Sequence, residues 1–310
     1  MTTVGVASGK GGAGKTSLAA ALAAALAGAG GAPCVVADCD VDAANGAIAL
    51  GAIVRERKAY FAGPGYRIDA DACIRCGLCE RACRFDAIRA AGTSARVIVP
   101  GLCERCGACV DVCPANAILT YQKQAGELFV SDTRLGIPLA HAELVPGEDT
   151  SGKMVRAVRE RAVALASGDT VVVVDCPPGI GCPVIASLSG CDLVLVVVEA
   201  GASGIRDAER LLELIKSMDR KAVAVINKTG LDPLMDARAR SMLAEAGIPS
   251  IGEIPFDVAL RSMEEAGKTW LSATGSAGRS IAAVLSACID ALNIPPRPGS
   301  GTAEQRKENP

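Results

Sequence analysis

The sequence predicts an α/β protein: a doubly wound, mostly parallel sheet whose order is interrupted once by a small α+β insert. Three observations predict it. Short β-branched runs alternate with helical patterns, first "TTVGVA", then Leu18, Leu22 and Leu26 on one helical face, then "CVVAD". The rhythm returns after residue 150 with "VRAVRERAVALA", "TVVVVDCP", "DLVLVVVEA", "IRDAERLLELIKSM" and "KAVAVINK". Strands this apolar on both faces belong in a parallel sheet covered by helices. Between about 65 and 120 the rhythm stops, and eight cysteines stand in the gap.

The expected domains follow in order. Residues 1–64 and 121–295 form the discontinuous α/β domain, and 65–120 form the insert, because insertions succeed where the backbone is exposed. Residues 121–150 read as a short hairpin leading back to the sheet. Residues 296–310 ("PRPGSGTAEQRKENP" at their core) carry no apolar face and read as a flexible tail.

Composition removes several classes. The 310 residues carry 32 Lys and Arg against 34 Asp and Glu, so no basic field points to nucleic acid. Aromatic residues are 3% of the chain, which gives no base-stacking surface. No apolar run is long enough to span a bilayer, and the opening "MTTVGVASGK" has no signal-peptide pattern. A cytoplasmic location is expected. In a reducing compartment fourteen cysteines are metal ligands or core residues before they are disulfides.

After the first strand, Gly9, Gly14, Lys15 and Thr16 fit G-x-x-x-x-G-K-[ST]. The loop backbone of Gly9, Lys10, Gly11, Gly12, Ala13 and Gly14, continuing into Ser17, would turn its N–H groups towards phosphates at a helix N-terminus. Lys15 would reach the β and γ phosphates, and the Thr16 hydroxyl would ligate Mg²⁺.

The second lysine, Lys10, makes the loop K-G-G-x-G-K-T, which resembles the deviant Walker A motif of the MinD, ParA and Mrp class and of the nitrogenase iron protein. "DCDVDAAN" (38–45) is similar to the first switch of that class, "VVVVDCPPG" (171–179) to its Walker B strand and second switch, and "VINK" and "GEIPFD" to its adenine-side elements. The resemblance covers the chain outside the insert. It implies an ATPase that dimerises around two nucleotides, with itself or with a related ATPase. Lys10 would reach the partner's nucleotide, Asp40 would orient the attacking water, and Asp175 would hold the Mg²⁺ shell. Asn227, Pro255 and Asp257 would lie on the adenine side. Asp38 and Asp42 read equally as metal-linked residues and as caps or solvated turn residues.

Within the insert, Cys73, Cys76, Cys79 and Cys83 follow C-x₂-C-x₂-C-x₃-C. Cys103, Cys106, Cys109 and Cys113 repeat the run, with Pro114 after the last. This is the run of bacterial two-cluster ferredoxins, in which the fourth cysteine of each run ligates the other cluster. By that rule one [4Fe–4S] cluster takes Cys73, Cys76, Cys79 and Cys113, and the other takes Cys103, Cys106, Cys109 and Cys83. Two zinc sites are the competing reading. The sequence departs from the ferredoxin pattern at Arg84, where proline usually stands. The combination resembles MinD/ParA-type ATPases containing an inserted ferredoxin domain, relatives of the Mrp iron–sulfur carriers.

That resemblance implies an ATPase that assembles or delivers clusters to an apo-metalloprotein. Its alternative is an ATP-gated electron carrier serving a redox partner; a membrane-positioning role ranks last. Cys182, seven residues after Asp175, stands at the offset where the nitrogenase iron protein ligates a bridging cluster. A buried small residue after a tight turn explains it as well. His141, the only histidine, Trp270, and Cys34, Cys39, Cys176, Cys191 and Cys288 are expected to pack in the core.

Overall fold

The structure is a computed structural model, and it describes residues 1–28, 31–92, 95–148 and 151–293. The expected tail at 296–310 lies outside the described residues.

The first elements alternate as β1 (Thr2–Ala7), α1 (Lys15–Ala27), β2 (Cys34–Asp38), α2 (Gly46–Leu50) and the long β3 (Ala52–Ile68). The cysteine region contributes α3 (Leu78–Ala82), β4 (Ile88–Ala90), β5 (Arg96–Ile98) and α4 (Ala108–Asp111). Then come β6 (Ile118–Thr133), β7 (Pro138–Leu144), α5 (Ser151–Leu165), β8 (Val171–Asp175) and α6 (Cys182–Leu188). The chain continues through β9 (Leu193–Glu199), α7 (Ala202–Ser217), β10 (Ala222–Thr229) and α8 (Pro233–Glu245). It closes with β11 (Ser250–Pro255), α9 (Val258–Glu265) and α10 (Gly275–Ala291).

One sheet runs β11-β10-β9-β1-β8-β2-β7-β6-β3, and every pairing from β11 to β7 is parallel. The all-Val run of β8 is buried along its whole length, which is why it carries no alternation. Helix α1 is Ala-rich and buried on nearly every side, so it lies close against the sheet. Leu18 and Leu22 are fully buried there, each contributing roughly 2 kcal/mol of transfer free energy. Helix α8 begins at Asp232, whose carboxylate accepts from the Leu234 and Met235 N–H groups, followed by Pro233 in the first turn.

Two compact units result. The larger holds Met1–Lys58, Leu128–Glu143 and the chain from Ser151 onward; the smaller holds Ala59–Glu127 and the segment that starts at Leu144. These boundaries differ from 65–120. The cysteine spacing marks where ligands stand, whereas the unit edges depend on where β3 and β6 stop belonging to the larger core. Residues 121–150 hold the expected hairpin, although its first strand begins earlier, at Ile118: β6 and β7 are neighbours joined across residues 134–137, and β7 pairs with β2. The small unit has its own core, in which Cys79 and Cys109 pack with Ile88 and Ile118.

The order of the central strands decides where a ligand fits. β1 and β8 are adjacent, and the chain leaves them in opposite directions along the sheet, from β1 towards β2 and from β8 towards β9. The crevice outside the carboxyl ends of the strands at such a switch point is where open α/β sheets bind ligands. The loops after β1, β2 and β8 all open there.

Candidate nucleotide cleft and cysteine cavities

A cleft of about 1040 Å³ in the larger unit is lined by Gly11, Gly12, Gly14, Lys15, Thr16 and Ser17. Asp40, Asn227, Pro255 and Asp257 line it from other elements. Of the residues the sequence placed on the nucleotide, Gly9, Lys10, Ala13 and Asp175 stand behind or beside these walls.

Gly14 precedes α1 with φ 93°, a left-handed conformation that L side chains rarely adopt. A Cβ there would also fall 2.5 Å from Asn227 Nδ2 and 2.9 Å from the Trp270 ring. Gly9 is required by crowding: an added Cβ would lie 2.3 Å from the Asp207 backbone.

Lys15 is buried, and its Nζ donates to Asp175 Oδ1 at 2.9 Å and lies 3.8 Å from Asp40 Oδ2. Burial alone would lower its pKa, but Asp175 and Asp40 outweigh burial and raise it. The ammonium is therefore held charged in the floor of the cleft. Asp175 Oδ2 is buried without a hydrogen-bond partner. Asp38 is fully buried; its two oxygens accept from the Asp40 N–H (3.1 Å) and the Gly46 N–H (2.8 Å). Burial, reinforced by Asp175, pushes its carboxyl up to about 7. Asp38 thus pins the loop that carries Asp40. Asp42 lines the cleft beside it.

Lys10 turns back within its own chain. Its Nζ lies 2.7 Å from Glu199 Oε1 and donates to Ser203 Oγ at 3.2 Å. Asn227 donates from Nδ2 to the Ala13 carbonyl at 2.7 Å, so it braces the loop as well as lining the cleft. Asp257 caps α9 by accepting from the Ala259 N–H, and the Ser17 hydroxyl donates to Glu264 on the same helix.

Sequence reasoning missed Lys228 and Trp270. Lys228 donates to the Gly12 carbonyl (2.7 Å) and to Glu199 Oε2 (2.8 Å). Its place after Asn227 in "VINK" was the available signal. Trp270, read only as packing, forms part of the cleft wall.

In the smaller unit two cavities lie among the cysteines. One is lined by Cys73, Cys76, Cys79 and Cys113; the other by Cys83, Cys103, Cys106 and Cys109. The halves repeat at an offset of 30 residues. Arg75 and Arg105, Gly77 and Gly107, and Asp86 and Asn116 all take positive φ. The Ala87 N–H donates to Cys83 Sγ at 3.4 Å, and the Ala117 N–H donates to Cys113 Sγ at 3.3 Å. Arg84 and Pro114 are both exposed, so the departure from the ferredoxin pattern falls outside the packed repeat. Among the described residues, no group of three or more His, Cys, Asp or Glu is arranged to hold a single metal ion.

Cys182 is exposed at the start of α6, not buried, and Gly152 of α5 lies beside it. His141 is buried, with Nε2 2.8 Å from Ser131 Oγ and its ring stacked on Phe129. Cys34, Cys39, Cys176, Cys191 and Cys288 are all buried. No helix among the described residues is long and apolar enough to cross a membrane.

Comparison with known proteins extends this geometry. The family described as the CobQ/CobB/MinD/ParA nucleotide binding domain matches residues 4–270. The uncharacterized protein MJ0578 of Methanocaldococcus jannaschii is 34% identical over 229 residues, covering 74% of this chain and 79% of its own. The structure is similar to the cell division ATPase MinD of Pyrococcus furiosus (TM-score 0.57, 17% identity, 94% of this chain and 99% of that one). It is also similar to MinD of Pyrococcus horikoshii complexed with Mg-ADP (TM-score 0.57, 16% identity, 94% and 97%). The phosphate-type loop at the switch point and the match over residues 4–270 lead to one conclusion: the chain belongs to the CobQ/CobB/MinD/ParA nucleotide-binding domain family.

Proposed function

We propose that this protein is an ATP-binding and hydrolysing iron–sulfur protein whose nucleotide cycle times electron transfer to a partner enzyme. The observation that carries the reading is the lining of the two small cavities: each brings together four cysteines in the crossed sets expected for a two-cluster ferredoxin. The N–H groups aimed at Cys83 and Cys113 suit sulfurs that carry negative charge. The donor set therefore fits two [4Fe–4S] clusters, which when bound supply one-electron chemistry. The spacing resembles a ferredoxin, and we assign the smaller unit to that class.

Between electron carriage and cluster delivery, the first is favoured. Four cysteine ligands per cavity leave no open iron position for a recipient's ligands. Delivery would need a second, looser site, and the thiol available for it, Cys182, stands alone on the surface.

For the nucleotide, the fit rests on Asp175. Its unpartnered buried oxygen and the Thr16 hydroxyl, which lies 3.4 Å from the Lys15 Nζ that Asp175 binds, suit a Mg²⁺ ion with its water shell. Lys15, paired with Asp175, would exchange that carboxylate for the β and γ phosphates. Asp40 would orient the attacking water, held in place by Asp38. Lys10 would leave Glu199 to neutralise charge on a nucleotide shared across a dimer, with itself or with a related ATPase. Asn227, Pro255 and Asp257 would border the base. We assign the protein to the cytoplasm.

Anaerobically prepared protein should hold about eight iron and eight labile sulfide per chain. Replacing Cys76 and Cys106 together should remove most of the low-potential EPR signal while nucleotide binding persists. Zinc in place of iron in native material would end the redox reading.

A further inference from the structure

The two cysteine cavities share a backbone and differ in charge. Around the first, Arg81 and Arg96 place guanidinium nitrogens 3.4 and 3.3 Å from the point where a Cβ on Gly77 would stand. Arg75 lines the same cavity and is exposed. Glu80 is the carboxylate paired with this group, to Arg96 at 2.5 Å. At the mouth lie Ile74, 64% exposed, and Leu78, 38% exposed, next to the exposed Cys76.

At the 30-residue offset the second cavity keeps Arg75, as Arg105, and changes Ile74, Leu78 and Arg81. Glu104 stands where Ile74 stands, and Asp111 where Arg81 does. Gly107 faces the Tyr66 hydroxyl in place of Arg96. Arg105, which lines this cavity, is tied together with Lys123 to the buried carboxylate of Glu148.

We propose that the mouth of the first cavity, around Ile74, Arg75 and Arg81, is the docking surface for an acidic partner protein, and that the mouth of the second is not. An exposed apolar centre rimmed by cations is complementary to an apolar patch rimmed by carboxylates. Such rims set association rate and partner choice. Arg75 and Arg81 have no carboxylate within ion-pair distance among the described residues, so a partner's carboxylates meet no internal competitor. The second mouth, with Glu104 and Asp111, would repel the same partner.

The identity of this partner class rests on the iron–sulfur reading, and the test separates the two. Iron and sulfide are first counted in each preparation; a preparation without them refutes the iron–sulfur reading whatever it binds. Association with oxidised flavodoxin, an acidic one-electron carrier, is then measured by surface plasmon resonance at low and high salt. Wild type should bind with an affinity that falls about tenfold or more as salt screens the rim. Arg81→Glu and, separately, Ile74→Glu should each weaken binding about tenfold with iron content unchanged, whereas Glu104→Gln should not weaken it. Salt-independent or absent binding by iron-loaded wild type would overturn the proposal. So would equal loss in Glu104→Gln, or tighter binding of basic cytochrome c or a single-stranded oligonucleotide than of flavodoxin.

Discussion

The nucleotide cleft and the cysteine cavities are assembled in opposite ways. The cleft is a convergence of distant segments: Lys15 meets Asp175 across 160 positions of sequence, and Asn227 meets Ala13 across 214. Its geometry exists only if the whole parallel sheet is in register. The cavities draw all their cysteines from residues 73–113, and positive-φ turns at Arg75, Gly77, Arg105 and Gly107 shape them locally. One site is a product of topology, the other of turn chemistry. Damage to the sheet should therefore disable the first and spare the second, and substitutions in each unit test this.

The largest effect is expected from Lys15→Ala. It removes the ammonium meant for phosphate and leaves Asp175 buried and unpaired, so nucleotide affinity should fall by about 10²–10³-fold by calorimetry. Iron content should not change. Loss of iron in this variant would break the comparison.

Next comes acid. Burial holds the His141 imidazole down at about 4, against an ordinary value of 6.5. Above pH 6.5 both folded and unfolded chains are neutral at this position and nothing is gained or lost. As pH falls from 6.5 to 4, the unfolded chain takes up a proton that the folded chain refuses. Stability should therefore drop by about 1.4 kcal/mol per pH unit, roughly 3 kcal/mol in all. In His141→Gln the difference in chemical-denaturation midpoint between pH 7 and pH 5 should shrink. A difference equal to that of wild type would show that His141 is not its source.

Gly14→Ala should cost about 2 kcal/mol, from strain at φ 93° and the collision with Asn227. It should also weaken nucleotide binding, since the collision displaces the loop. The smallest effect belongs to Asp232→Ala. Removing this helix cap should cost about 1 kcal/mol in thermal or denaturant unfolding. Nucleotide affinity and iron content should both stay normal, which makes it the control for the other three.

What could be read from the sequence follows the same division. The phosphate loop and the cysteine runs are short-range motifs, and Lys15, Thr16 and the eight cysteines line the cleft and the two small cavities. The cysteines that line each small cavity follow from the run spacing, because a fixed repeat of 30 residues carries a fixed backbone. Lys228 had one signal, its place after Asn227, whereas Trp270 and Glu148 were not legible as site residues because each acts through a neighbour distant in sequence. Nothing near Glu148 announces that it holds Arg105 and Lys123. The unit edges were missed for a related reason: a strand that continues from one core into another has no punctuation at the crossing. Cys182 reads equally as a buried small residue after a tight turn, and its exposure at the start of α6 removes that reading.

The packing of Trp270 over Gly14 has an optical consequence. This indole is the only one in the chain, so light at the red edge of protein absorption excites a single fluorophore. It forms part of the cleft wall, it stands against the glycine that starts the phosphate-loop helix, and its N–H is buried without an acceptor. Any rearrangement of the loop changes the ring's surroundings directly. The protein thus carries its own emission signal for the state of the nucleotide cleft, and no dye need be attached.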